Sequence, residues 1–333
     1  AGTITGNGGA ALTAGGNMAG FQIVNRAGGT IGGISGPVGA LDNAGTIDGG
    51  LYSAISGGLY YSGSGSRDWV NNGTIRSDSD FATIEDLATG TPFINNGTIA
   101  NDGTGAAIAG QNFALTNAAT GIITAAGGTA IDAGSSLQLV NAGRIDGDVL
   151  VGTSGFGFGA MVDSTAGLID GDLLFGNGSD RVVARYTGSA ILSAGVSGTI
   201  DGGAGSDTVQ LRVSADTTID TAITLFDNFE RLTLELQGGA TATLADGFVA
   251  PGTIGWESGS RACWAAIQSR CCSAQASPCL SEARGGRVSR TLPSRGSTAR
   301  RIRRARALRT TSMPGLKSRG PPDGARNRRH HPR

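Results

Sequence analysis

Two short stretches carry residue types that could hold a metal. "GGAGSDTVQ" (Gly202 to Gln210) fits the calcium-binding nonapeptide G-G-x-G-x-D-x-U-x throughout, and "FGNGSDRVV" (Phe175 to Val183) fits it in part. In arrays of that motif, Asp carboxylates and turn carbonyls of adjacent coils share one Ca²⁺. Here the copies lie 27 residues apart rather than nine. Coils of that length would set one copy above the other, so Asp180 and Asp207 are the expected calcium ligands. The competing reading is a Gly-Asp turn that caps a strand.

A second constellation is the pair of Asp doublets Asp146/Asp148 and Asp170/Asp172, 24 residues apart in "GRIDGDVLVG" and "GLIDGDLLFG". Paired carboxylates can hydrolyse glycosides when held roughly 5–9.5 Å apart, and a polysaccharide-active enzyme is one function class this admits. Such sites also recruit basic groups, for which Arg144, Arg181, Arg185 and Arg212 are candidates. Outward Asp in an exposed turn is the plainer alternative. "GGISG" (Gly32 to Gly36) and "GTSGFG" (Gly152 to Gly157) fall in repeat turns with no His nearby, so no serine hydrolase is expected. "NGT" at Asn72 and Asn96 matches a glycosylation sequon but reads better as a repeat turn.

Composition narrows the chemistry further. The 333 residues include 58 Gly and 5% aromatics. Residues 1–255 hold 8 Lys+Arg against 23 Asp+Glu, net −15, whereas residues 256–333 hold 18 against 3, net +15. All four cysteines (Cys263, Cys271, Cys272, Cys279), both histidines (His330, His331) and the single lysine (Lys317) follow that border. The first segment therefore offers no Cys nucleophile, His base, Lys Schiff base or Cys/His zinc site. No apolar run is long enough for a transmembrane helix. No signal peptide is visible, and an opening "AGTITG" reads as a chain cut from something longer.

The elements that would position these residues are set by a repeat. The pattern Asn/Asp-x-Gly-x-Ile recurs as "NNGTI" at Ile75 and Ile99, with variants at Ile4, Ile31, Ile47, Ile123, Ile145, Ile169 and Ile200. Successive intervals are 27, 16, 28, 24, 24, 22, 24 and 31 residues. "AIAGQNFALTN" parallels "AIDAGSSLQLVN", so each repeat holds about three short strand-like pieces and no helical period. Strand repeats of this length signal a solenoid. The expectation is an all-β, right-handed parallel β-helix: Ile, Val and Leu inward, Asn side chains stacked in a ladder, and Gly supplying positive φ at the corners. Residues 1–200 form the repeats and 201–255 the terminal coils.

At these residues the chain resembles the passenger domains of bacterial autotransporters (type V secretion). "NNGTI", "NAGTIDG", "RIDGDVLVG" and "GTIDGGAGSDTVQL" carry the resemblance, and "LFDNFERLTLELQGGATATLADGF" is similar to an autochaperone-like end segment. The resemblance covers residues 1–255. It implies an extracellular, outer-membrane-displayed or secreted fragment that acts as an adhesin or structural stalk without catalysis. The translocation barrel of such proteins has no counterpart in this sequence. Host or cell-surface glycans or proteins are the implied partners, and no nucleic acid is expected. Side loops 60–69 and 77–91 would carry binding, with Tyr60, Tyr61 and Trp69 as contact candidates; strand-end packing is the alternative role for these rings. A cysteine-free, acidic passenger suits passage through an oxidising periplasm.

Residues 256–333 read differently: Arg-, Ser-, Pro- and Cys-rich, with one valine (Val288) and no Phe or Tyr. A basic arm around Arg300, Arg301, Arg303 and Arg304 is one reading. Out-of-frame translation of GC-rich DNA suits the mixture better. Either way the tail has too few apolar residues for a core and is expected to be disordered.

Overall fold

Ile is β-branched and suits extended backbone. Set once per repeat among Gly, Asn and Thr, it finds no apolar partner within its own coil and must stack on its counterpart in the next. In the computed structural model, Ile4, Ile31, Ile47, Ile75, Ile99, Ile123, Ile145 and Ile169 stand in one parallel column. From Ile47 to Ile169 each of these is 0% exposed. The structure describes residues 2–5, 10–13, 22–36, 38–57, 69–87, 92–152, 159–187, 192–219, 223–245, 253–256 and 262–264.

Two further columns close the coil. One runs Ile23, Leu41, Trp69, Phe93, Leu115, Leu139, Val162, Val182, Val209, Leu232. The other runs Leu12, Ile34, Ile55, Ile84, Ile108, Ile131, Val149, Leu173, Ile200. Three strand faces thus surround one apolar core, and each fully buried Ile or Leu contributes about 1.5–3 kcal/mol. Among the described residues every regular element is a strand. Pairing is parallel throughout except where Arg181–Tyr186 meets Leu192–Ser193. The chain is an all-β parallel β-solenoid, as the repeat predicts.

The corner written "NNGTI" shows why its letters recur. The first Asn of each copy is buried, and the amide nitrogens of Asn25, Asn43, Asn71, Asn95 and Asn117 each donate to Oδ1 of the Asn one coil on, at 2.7–2.8 Å. Asn141 ends the ladder on Ser164 Oγ at 2.9 Å. The same nitrogens also donate to a backbone carbonyl of the neighbouring coil, such as Thr98 O for Asn71 at 3.1 Å. The second Asn lies on the outside, where Asn96 donates to Asn72 at 2.9 Å.

Glycine is required there for a different reason from the one expected. Gly45, Gly73, Gly97, Gly143 and Gly167 do not have positive φ. A Cβ on Gly73 or Gly97 would instead strike the carbonyl of Gly45 or Gly73 in the coil before. Close approach of stacked backbones excludes any side chain.

Two other expectations are corrected. The Ile169 column passes to Val196, not Ile200; Ile200 sits on another face against Leu173. Each column needs an apolar residue at its own place in the coil, and Ile200 arrives too late to continue the first. Trp69 is a core residue, 2% exposed, between Leu41 and Phe93 rather than a surface contact. Tyr60 and Tyr61 lie outside the described residues, as does the basic tail after 264 with its expected disorder. Parallel pairing crosses the composition border at Gly255: Thr253–Trp256 lies beside Arg231–Leu236, and Ala262–Trp264 beside Ala242–Leu244.

Candidate functional site

The two nonapeptide-like turns stack one above the other. Asn177 and Gly178 pair in register with Ala204 and Gly205. Ala204 N donates to Gly176 O (2.7 Å), Ser206 N to Gly178 O (3.1 Å) and Thr208 N to Asp180 O (2.8 Å). Gly203 has φ +72°, and a Cβ on Gly205 would collide with Gly178 O. Close backbone stacking therefore accounts for the glycines of the motif.

Asp180 and Asp207 occupy equivalent places in adjacent coils, as the spacing predicts, but face inward. They are 3% and 0% exposed. Asp180 Oδ1 accepts the Ala160 N–H at 2.6 Å, Asp207 Oδ1 accepts the Asp180 N–H at 2.7 Å, and Glu230 Oε2 accepts the Asp207 N–H at 2.8 Å. Each acid thus caps the backbone of the coil before it. Burial pushes the Asp180 carboxyl up to about 6, a rise eased by the Ala160 N–H and reinforced by the Asp207 charge. Asp207 is also pushed up, by burial first and then by the charges of Glu230 and Asp201. Asp207 Oδ2 is buried without a hydrogen-bond partner.

Ca²⁺ takes six to eight oxygens, as a rule. Here both Oδ1 atoms and the turn carbonyls of Gly176, Gly178 and Asp180 already accept N–H groups. Among the described residues no three His, Cys, Asp or Glu side chains gather as a metal site. The donor set fits a backbone cap, not a calcium cage.

The Asp doublets also stack, with Asp146 paired to Asp170. Arg144 bridges the two, donating Nε to Asp146 and a terminal nitrogen to Asp170 at 2.9 Å. Asp170 also accepts from Ser197 Oγ at 3.0 Å. Asp148 caps the Asp172 N–H (2.9 Å), and Asp172 caps the Thr199 N–H (2.7 Å). All four carboxylates hold structural partners.

One network escapes the sequence patterns. Arg212 donates to Asp163 at 2.7 Å and to Glu235 at 3.1 Å, and Gln210 donates to Glu235 at 2.8 Å. Burial works against the Asp163 and Glu235 charges. Hydrogen bonds from Thr165 and Arg212 outweigh it at Asp163, those from Gln237, Arg212 and Gln210 at Glu235, and both acids are held below the usual range. Arg181 also reaches this face, donating to Gln210 at 3.2 Å.

A groove opens on the side loop expected to carry binding. Its volume is about 450 Å³, and its lining includes Phe81, Glu85, Asp86, Gln111 and Asp132. The strand register shifts between Ile84 and Leu87 and between Gly110 and Asn112 beside it, and bulges of this kind re-aim side chains. Asp86 adopts φ +56°.

No family model, curated protein or solved structure matches the chain.

Proposed function

We propose that the chain is a non-catalytic rod displayed at the cell surface or secreted: an autotransporter-type passenger serving as an adhesin or structural stalk. The observation that carries this reading is how the polar side chains of the repeat are spent. The Asn column and the carboxylates of Asp148, Asp172, Asp180 and Asp207 bond coil to coil. Such groups build length rather than a reaction centre, and recognition is left to the side loops. The acidic, cysteine-free character of residues 1–255 supports passage through an oxidising compartment.

Fusing the chain between a secretory signal and an outer-membrane translocator barrel tests this. Intact cells should bind an antibody against the rod, and external protease should release it. Retention behind the outer membrane would refute the reading, as would sugar release from acidic glycans by the purified chain.

A further inference from the structure

We propose that the groove beside Phe81 binds an amino-sugar chain, a glycan that presents hydroxyl groups, protonated amines and flat apolar ring faces. This rests on the reading of a binding rod and names the class of its ligand.

Small residues make up part of the groove's lining: Ala82, Ala109, Gly110 and Gly134. At about 450 Å³ the space falls within the usual range of small-ligand sites.

Phe81 stands at this groove 61% exposed. Tyr52, 55% exposed, holds the corresponding bend of the previous coil, since each ring lies three residues before a core Ile of one column, Ile55 or Ile84. An aromatic face is apolar and electron-rich, and it attracts both apolar ring surfaces and cations.

Around Phe81 the groove presents carboxylates, those of Glu85 and Asp86, and among the described residues no Lys, Arg or His lines the space. Burial raises the Glu85 carboxyl, eased by a hydrogen bond from Ser53; a cation seated beside it would favour its charged form.

Complementarity therefore calls for a ligand rich in donors, positively charged, with a flat apolar side. A glucosamine ring has all three: hydroxyl and ammonium donors at its edge and C–H groups on its face. An extended basic peptide fits less well. Its backbone brings one carbonyl acceptor for each N–H donor, and those carbonyls would face carboxylates.

The full chain is titrated calorimetrically with a glucosamine tetramer at mildly acidic pH, beside the N-acetylated tetramer and trilysine. Saturable binding of the glucosamine tetramer is expected, at least about tenfold tighter than the other two. Phe81→Ala and Asp86→Asn should each weaken it at least about fivefold with unchanged circular dichroism, Asn being tolerated at positive φ. Absence of saturable binding, equal binding of trilysine or the acetylated sugar, or indifference to both substitutions would overturn the proposal. Binding without surface display would sink the display reading and spare the groove; display without binding would do the reverse.

Discussion

Asp180 makes the stability of the later coils depend on pH in an unusual direction. Its carboxyl is 3% exposed and raised from 3.8 to about 6 in the folded chain, chiefly by burial. Below the unfolded value both states are protonated and folding carries no penalty. As pH rises from about 4 to about 6, the unfolded chain ionises while the folded chain does not, and stability falls. Above the folded value both are ionised and the loss is complete. A rise of that size corresponds to roughly 3 kcal/mol, at about 1.36 kcal/mol for each tenfold change in acidity. Asp207 is raised too and acts with the same sign. Asp163 and Glu235, held low, act in the opposite sense, and their contribution disappears only as pH falls through their depressed values. Asp180→Asn removes the titration but keeps a side-chain oxygen to accept the Ala160 N–H. Hydrogen exchange at the Ala160 and Asp180 amides, backed by denaturant unfolding, reads the effect locally. The wild type should be better protected at pH about 5 than at about 7.5, with the substitution raising protection at the higher pH and flattening the difference. Equal wild-type protection at both pH values, or a variant less protected at the higher one, would refute the reasoning.

Asn95→Ala should lower unfolding free energy by roughly 3 kcal/mol in a denaturant melt, because it orphans buried partners on both sides of the ladder. Gly97→Ala should cost about 3 kcal/mol through collision with the Gly73 carbonyl. Gly50→Ala, at φ +58° with nothing near, should cost only about 1 kcal/mol; equal losses in paired melts would contradict the close-approach explanation. Millimolar Ca²⁺ should leave the Tm unchanged, since Oδ1 of both Asp180 and Asp207 already caps backbone; a rise reversed by EGTA would restore them as ligands.

The columns that could be read from sequence are those in which one residue type is irreplaceable. Asn both donates and accepts along the ladder from Asn25 to Asn141 on a side chain of one length, so it recurs by letter. Ile47 to Ile169 recur because one corner keeps one shape. The stretch Leu41–Trp69–Phe93–Leu115 was hidden, because any large apolar residue fills a core column and the letter changes at each of these coils. Trp69 looked like a surface ring beside an irregular loop and proved to be core. Arg212 and Asp163 are 49 residues apart, about two coils, so no motif window contains both. The stacking of Asp180 and Asp207 followed from spacing, but their inward direction did not: only the register shows that each Oδ1 meets a backbone N–H. The groove likewise depends on register shifts at Leu87 and Gly110, which leave no mark in residue type.

Cross-linking at the "NNGTI" corner tests the stacking most directly. Asn72 and Asn96 lie outside the core, one above the other, with their side chains bonded at 2.9 Å. Adjacent parallel strands are about 4.8 Å apart, within reach of a disulfide. Oxidising the double variant Asn72→Cys/Asn96→Cys and mapping peptides by mass spectrometry should show a link joining positions 72 and 96. Asn72→Cys/Thr120→Cys should give none, because position 120 lies a further coil away, where Thr120 bonds Asn96 O. A link between 72 and 120, or none between 72 and 96, would contradict the stacked-coil assignment on which every role given to these residues depends.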